Sequence, residues 1–142
     1  MALTLLLPAA RLGAAAPAND DCLTCHDDRS AAREAEKTSV FVDGKLFAGS
    51  AHGKAGMSCV DCHADLASAT DFPHAARLAK VDCAPCHDQQ ASDYAKSFHA
   101  ESRAKSEKSK AARCVDCHGM HDMLSPKDAA SKRTISTCRP PG

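Results

Sequence analysis

Hydrophobic residues are spread unevenly along this chain and keep a regular period over only short stretches. An apolar run, Ala2-Leu3-Thr4-Leu5-Leu6-Leu7, followed by the small residues Ala14-Ala15-Ala16-Pro17-Ala18, predicts a secretory signal over residues 1–18 with cleavage before Asn19. No later stretch reaches the roughly 18 consecutive apolar residues that a membrane-spanning helix requires, so no span is expected in the body of the chain. Ser30 to Lys37, carrying Ala, Arg and Glu, predicts a short helix. Val40-Phe41-Val42 and Lys45-Leu46-Phe47 flank Asp43-Gly44, which predicts one short β-hairpin over residues 40–47, because Gly tolerates a positive φ. Asp88 to Ala112 is polar, alanine-rich and free of Pro and Gly, with Tyr94 and Phe98 four apart, and predicts one long helix whose Lys-rich second half is solvated. Pro73, Pro85, Gly119 and Pro126 divide the remaining connections into irregular segments. The expected fold class is mostly α with little regular structure.

Composition sharpens that picture. The hydrophobic fraction is 44%, but alanine supplies much of it, and the aromatics are only Phe41, Phe47, Phe72, Phe98 and Tyr94, with no Trp. Aromatic side chains ordinarily dominate core burial, so 142 residues of this kind have little with which to build a normal core. Small proteins in that position recover stability from disulfides, metals or cofactors, and the nine cysteines point the same way. Lys+Arg and Asp+Glu balance at 18 each, which argues against nucleic acid as a partner.

The cysteine spacing decides between these options. Cys22-Leu23-Thr24-Cys25-His26, Cys59-Val60-Asp61-Cys62-His63, Cys83-Ala84-Pro85-Cys86-His87 and Cys114-Val115-Asp116-Cys117-His118 are four copies of C-x-x-C-H, the pattern of c-type haem attachment. The two thiols of each copy add across the two vinyl groups of one haem, and the adjacent His is placed to ligate the iron from the same side. Four covalent haem c groups and their iron are therefore the expected cofactors. Paired C-x-x-C motifs also build tetrahedral zinc sites or a disulfide framework, but zinc does not require a His directly after every second Cys. The signal-like start also implies an oxidising compartment, where free thiols are at risk.

With His26, His63, His87 and His118 as proximal ligands, four histidines remain: His52, His74, His99 and His121. Eight imidazoles match eight axial positions, so the expectation is four bis-histidine haems. His52, His74 and His99 each lie shortly before a motif and can reach a nearby haem. His121 follows His118 by three residues, on nearly the same face of a helical turn, so it should serve a haem other than the one held at Cys114 and Cys117. The pairing of the other distal histidines stays open at this stage. Met57, Met120 and Met123 are the alternative sixth ligands, with Met120 and Met123 read as packing residues. Two imidazoles per iron leave no open coordination position and favour ferric iron, which implies low-potential relay centres.

These motifs, with interspersed histidines such as Ser50-Ala51-His52-Gly53 ahead of Cys59, resemble the multihaem c-type cytochromes of the cytochrome c3/c7 and tetrahaem class. The resemblance spans about Asp21 to Asp122. It implies a small multihaem fold organised around its haems over residues 19–125, and periplasmic electron transfer in a respiratory chain. The implied partners are redox protein donors and acceptors, including a membrane quinol-oxidising or cytochrome b-like component. Residues 126–142 form a tail in which Thr137-Cys138-Arg139-Pro140-Pro141-Gly142 begins like a further motif, with Pro141 and Gly142 where the second Cys and the His would stand. That reads either as the interrupted end of a longer multihaem protein or as a lone thiol. The competing function is a reductase of nitrite, hydroxylamine or sulfur oxyanions, or an electron-donating subunit of one, and it needs a haem with a vacant sixth position.

Overall fold

Local hydrogen bonding shapes this chain more than side-chain burial does. The computed structural model describes residues 15–106 and 109–131, so most of the signal-like segment and Cys138 lie outside the described residues. Among the described residues, Val60 is the one hydrophobic side chain counted as buried, and Leu46, Phe72, Val81, Phe98 and Met120 are exposed. The elements run α1 (Asn19–His26), β1 (Ala32–Arg33), β2 (Thr38–Ser39), α2 (Gly44–Gly49), α3 (Ala51–Lys54), α4 (Cys59–Cys62), a 3-10 turn (Ala64–Leu66), α5 (Asp88–Ala95), α6 (Phe98–Ala104) and α7 (Cys114–His118). The fold is mostly α with sparse regular structure, as the sequence implies.

The strand pair lies earlier than the sequence pattern suggests. β1 and β2 pair antiparallel, Ala32 opposite Ser39 and Arg33 opposite Thr38, in the stretch expected to be a short helix. A helix of eight residues has little to offset its nucleation cost. Here the Asp28 carboxylate instead accepts from the Ser30 N–H at 2.8 Å and opens a turn. Lys37, at φ 52, closes the hairpin in the left-handed region. The expected hairpin over 40–47 is replaced by the start of α2, because the Asp43 carboxylate accepts from the N–H groups of Lys45 and Leu46, both at 3.0 Å, and caps that helix. The first half of the expected hairpin is already engaged: Val40 N–H donates to Ala31 at 3.0 Å and Val42 N–H to His26 at 2.7 Å.

The expected long helix over 88–112 divides into α5 and α6 at Lys96 and Ser97. Ser97 is the reason, since its hydroxyl accepts from the Ala100 N–H at 3.3 Å and starts a second helix. After Ala104 the chain turns back. Tyr94 Oη donates to the Ala112 carbonyl at 2.8 Å, and the Arg103 guanidinium reaches the carbonyls of Ser109 and Ala111 at 3.4 and 3.1 Å. Phe98 is 77% exposed, so it does not share a buried face with Tyr94.

α2 and α3 meet at Ser50, which is 1% exposed and whose hydroxyl accepts from the Gly53 N–H at 3.0 Å. A methyl group added at Gly53 would collide with the Phe47 carbonyl oxygen and stand 2.9 Å from Ala48 Cα, both of them backbone. Gly53→Ala should therefore lower stability by about 1–3 kcal/mol, despite the better helix propensity of Ala. Denaturant unfolding of the holoprotein measures this, and a neutral or stabilising result would show that α2 and α3 are not held this closely.

Candidate haem-binding sites

C-x-x-C-H places its three reactive side chains at positions i, i+3 and i+4, which share one face of a single helical turn. All four copies fold that way. The first and fourth lie within α1 and α7, and the second forms α4 with His63 just past its end. The third is a tight turn in which the N–H groups of Cys86 and His87 donate to the Cys83 carbonyl at 3.3 and 3.0 Å. His87 then caps α5.

Carboxylates start these turns. Asp61 Oδ2 accepts from the Ser58 N–H at 2.6 Å, Asp116 Oδ2 from the Arg113 N–H at 2.7 Å and Asp21 Oδ2 from the Ala18 N–H at 2.8 Å. Asp82 Oδ1 accepts from the Ala84 N–H at 3.0 Å and serves the third motif. Asn19 ties two motifs together, its side-chain oxygen accepting from the Cys59 N–H at 2.7 Å. These residues were not singled out from the sequence, although the repeated C-V-D-C-H of the second and fourth motifs was a usable signal for Asp61 and Asp116.

The imidazoles come together across the chain. The rings of His26 and His74 have centroids 5.9 Å apart and planes 11° apart. His52 and His87 stand 5.9 Å apart at 58°, and His63 and His121 stand 6.3 Å apart at 31°. Such gaps are too wide for face-to-face contact, which brings carbon atoms to roughly 3.5–4.0 Å. They do fit one metal atom: two metal–nitrogen bonds of about 2 Å, with each ring centre roughly 1.2 Å behind its nitrogen, put the centroids about 6.4 Å apart. In each pair one member is a motif histidine and the other is not; in the His52 and His87 pair the motif histidine is the later residue.

The thiols sit beside one another in chain order. Cys22 and Cys59 are within hydrogen-bonding reach, as are Cys83 and Cys114, and Cys62 lies close to Cys83 and Cys86. Burial, and then the neighbouring Cys22 thiol, push Cys59 up to about 11, and burial also raises Cys62 and Cys83. Cys22, Cys25, Cys59, Cys62, Cys83, Cys86 and Cys114 are not joined to one another by disulfides. Burial pushes the His63 and His121 imidazoles down, which keeps them neutral, the form that binds metal. No set of three or more His, Cys, Asp or Glu side chains converges on a metal-ion position among the described residues.

His99 and His118 stand apart from the three pairs. His99 is exposed on α6, and His118 lines an open hollow of about 290 Å³ with Lys45, Leu46, Gly49, Asp122, Leu124 and Ala130. A second hollow of similar size lies beside it, lined by His121 with Phe41, Val115 and Met120. Cys25, Cys86 and Cys114 are exposed, whereas Cys22, Cys59, Cys62, Cys83 and Cys117 are half-buried.

A family model described as cytochrome c3 matches residues 51–139. The chain belongs to the cytochrome c3 family. Membership brings electron transfer through covalently attached haem c and its iron, with redox proteins as partners. The cytochrome c3 match takes in the second, third and fourth motifs, while the first motif and the β1–β2 hairpin precede it. No curated protein and no solved structure matches the chain. No helix among the described residues is long and apolar enough to cross a membrane.

The capping carboxylates give this cytochrome an acid dependence of known sign. Asp61 and Asp116 are held below the ordinary carboxylate value of 3.8, first by the backbone N–H groups of Ser58 and Arg113 and then by the side chains of those residues. Their contribution is fully present above that value and is lost as pH falls through the lowered one. Urea midpoints measured between about pH 6 and about pH 2 should therefore drop on the acid side, and less steeply in an Asp61→Asn, Asp116→Asn double variant. An identical acid limb in the two proteins would remove these carboxylates as its cause.

Proposed function

We propose that this chain is an exported electron carrier that holds four haem c groups and works as a periplasmic relay in a respiratory chain. The observation that carries the reading is the spacing of the three imidazole pairs, 5.9, 5.9 and 6.3 Å between ring centres, each pair including a histidine from a thiol-bearing turn. Cys22 and Cys25, Cys59 and Cys62, Cys83 and Cys86, and Cys114 and Cys117 are the tethers, and His26, His63, His87 and His118 are the proximal ligands. His74, His121 and His52 complete the axial sets of the first three. Haem c supplies reversible one-electron chemistry at its iron.

The residues do the rest. Imidazoles on both faces of an iron keep substrates off it and favour the ferric state more than a thioether would. The contacts of Cys22 with Cys59, and of Cys83 with Cys114, support close packing of successive haems, so that electrons pass over short distances. The exposed positions of Cys25, Cys86 and Cys114 support exchange with redox donors and acceptors at the surface, among them a membrane quinol-oxidising or cytochrome b-like component. Pyridine haemochrome analysis with intact mass should find four covalent haems per chain. A Cys22→Ala, Cys25→Ala variant should lose one haem and keep three, and a colourless exported protein would overturn the reading.

One observation favours a reductase. His118 lines a hollow that Lys45 and Asp122 share, and it has no imidazole across from it among the described residues. In the relay reading His99 closes that iron. Carbon monoxide binding to the reduced native protein, or a high-spin ferric signal, would favour catalysis at the His118 haem. A wholly low-spin spectrum that ignores carbon monoxide would favour the relay with His99 bound.

A further inference from the structure

The imidazoles of the first two motifs are supported differently. His26 Nδ1 lies 2.7 Å from the Val40 carbonyl oxygen, and His74 Nδ1 lies 2.8 Å from the Ala75 carbonyl oxygen. A carbonyl only accepts, so each Nδ1 carries the proton and donates it, leaving Nε2 with a free lone pair for iron. Donation to a carbonyl makes the ring a more basic ligand, which stabilises the ferric state and lowers the reduction potential. His63 has the opposite environment. Its Nδ1 is buried without a hydrogen-bond partner, and it faces His121 in a half-buried setting. A less basic imidazole in drier surroundings disfavours the extra positive charge of ferric iron and raises the potential.

The two centres are also neighbours. Asn19 bonds the Cys59 N–H at 2.7 Å, and the Cys22 and Cys59 thiols touch, so the first haem adjoins the second at its attachment edge. We propose that the haem on Cys22, Cys25 and His26 has a lower potential than the haem on Cys59, Cys62 and His63 and reduces it, which makes the N-terminal segment the electron-entry end of the relay. In that step one electron leaves the ferrous iron held by His26 and His74, which becomes ferric, and the iron held by His63 and His121 becomes ferrous. An external redox protein supplies the electron. Val40 acts as a positioning residue through its carbonyl, which is held at His26 Nδ1 by the Val40–Ala31 and Val42–His26 backbone bonds of 3.0 and 2.7 Å. The inference rests on the haem reading above.

The angle between axial ring planes makes the two sites separable by electron paramagnetic resonance. Near-parallel planes, 11° for His26 and His74, give a rhombic low-spin ferric signal, whereas the 31° and 58° pairs give progressively more anisotropic ones. The experiment is a dithionite titration of the four-haem protein, with samples frozen at poised potentials, and His74→Met assigns the rhombic signal by abolishing it and shifting one midpoint upward. The expected result is that the rhombic signal persists to lower potential than the signal of the His63 site. Val42→Pro, which removes the bond that steadies the Val40 segment, should raise the midpoint of the rhombic signal alone. Reduction of the His26 site before the His63 site overturns the proposal, and so does an unmoved midpoint in a folded Val42→Pro protein. If that variant fails to fold, the order of reduction in the unaltered protein still decides. Absence of any bis-imidazole low-spin signal, in contrast, overturns the haem reading itself.

Discussion

Everything in this molecule depends on a single helical turn that presents two thiols and an imidazole on one side. The turn is short enough to be set by local bonds alone: a carboxylate at its start, an N–H to the first cysteine carbonyl at its end. It needs no hydrophobic core to form. In the proposed reading the distal histidine comes from another part of the chain, so ligation of an iron would join distant segments that side-chain packing does not hold. His26 and His74 are 48 positions apart in sequence, and their rings are 5.9 Å apart in space. With one buried hydrophobic side chain among the described residues, such cross-linking would be the main source of tertiary order.

The sequence was legible where chemistry dictates spacing and less so where propensity must choose. C-x-x-C-H leaves little freedom in residue type, and the histidines outside the motifs were visible by subtraction. Their partners were not, because the segments that carry them to the motifs have no periodic pattern to read. The β1–β2 hairpin, α2 and the break between α5 and α6 were misjudged for a common reason. Asp28, Asp43 and Ser97 each form a side-chain bond to a nearby backbone N–H, and in short elements one such bond outweighs intrinsic preference. Asp43-Gly44 suits a hairpin turn and a helix start equally well, and the choice fell to the neighbouring Val40 and Val42 N–H groups, which other carbonyls had taken.

The first motif is joined to the rest of the fold by specific contacts. It lies ahead of the residues that match the cytochrome c3 family, yet the segment before that match is fastened to it at three points: Asn19 to the Cys59 backbone, the Cys22 thiol to the Cys59 thiol, and Glu36 to Arg77. Hydrogen bonds and an ion pair make this union directional, so the segment is integral to the fold.

A chain whose interior is not built from its own side chains is free in an unusual way. Where a conventional core resists exchange at dozens of positions, Val60 is the one buried hydrophobic side chain here among the described residues. Most residues between the cysteines and histidines can be replaced at small energetic cost, and insertions between motifs disturb little so long as each imidazole still reaches its iron. Evolution acting on such a scaffold should preserve a sparse set of anchors while the surface around them, and with it the choice of redox partner, drifts.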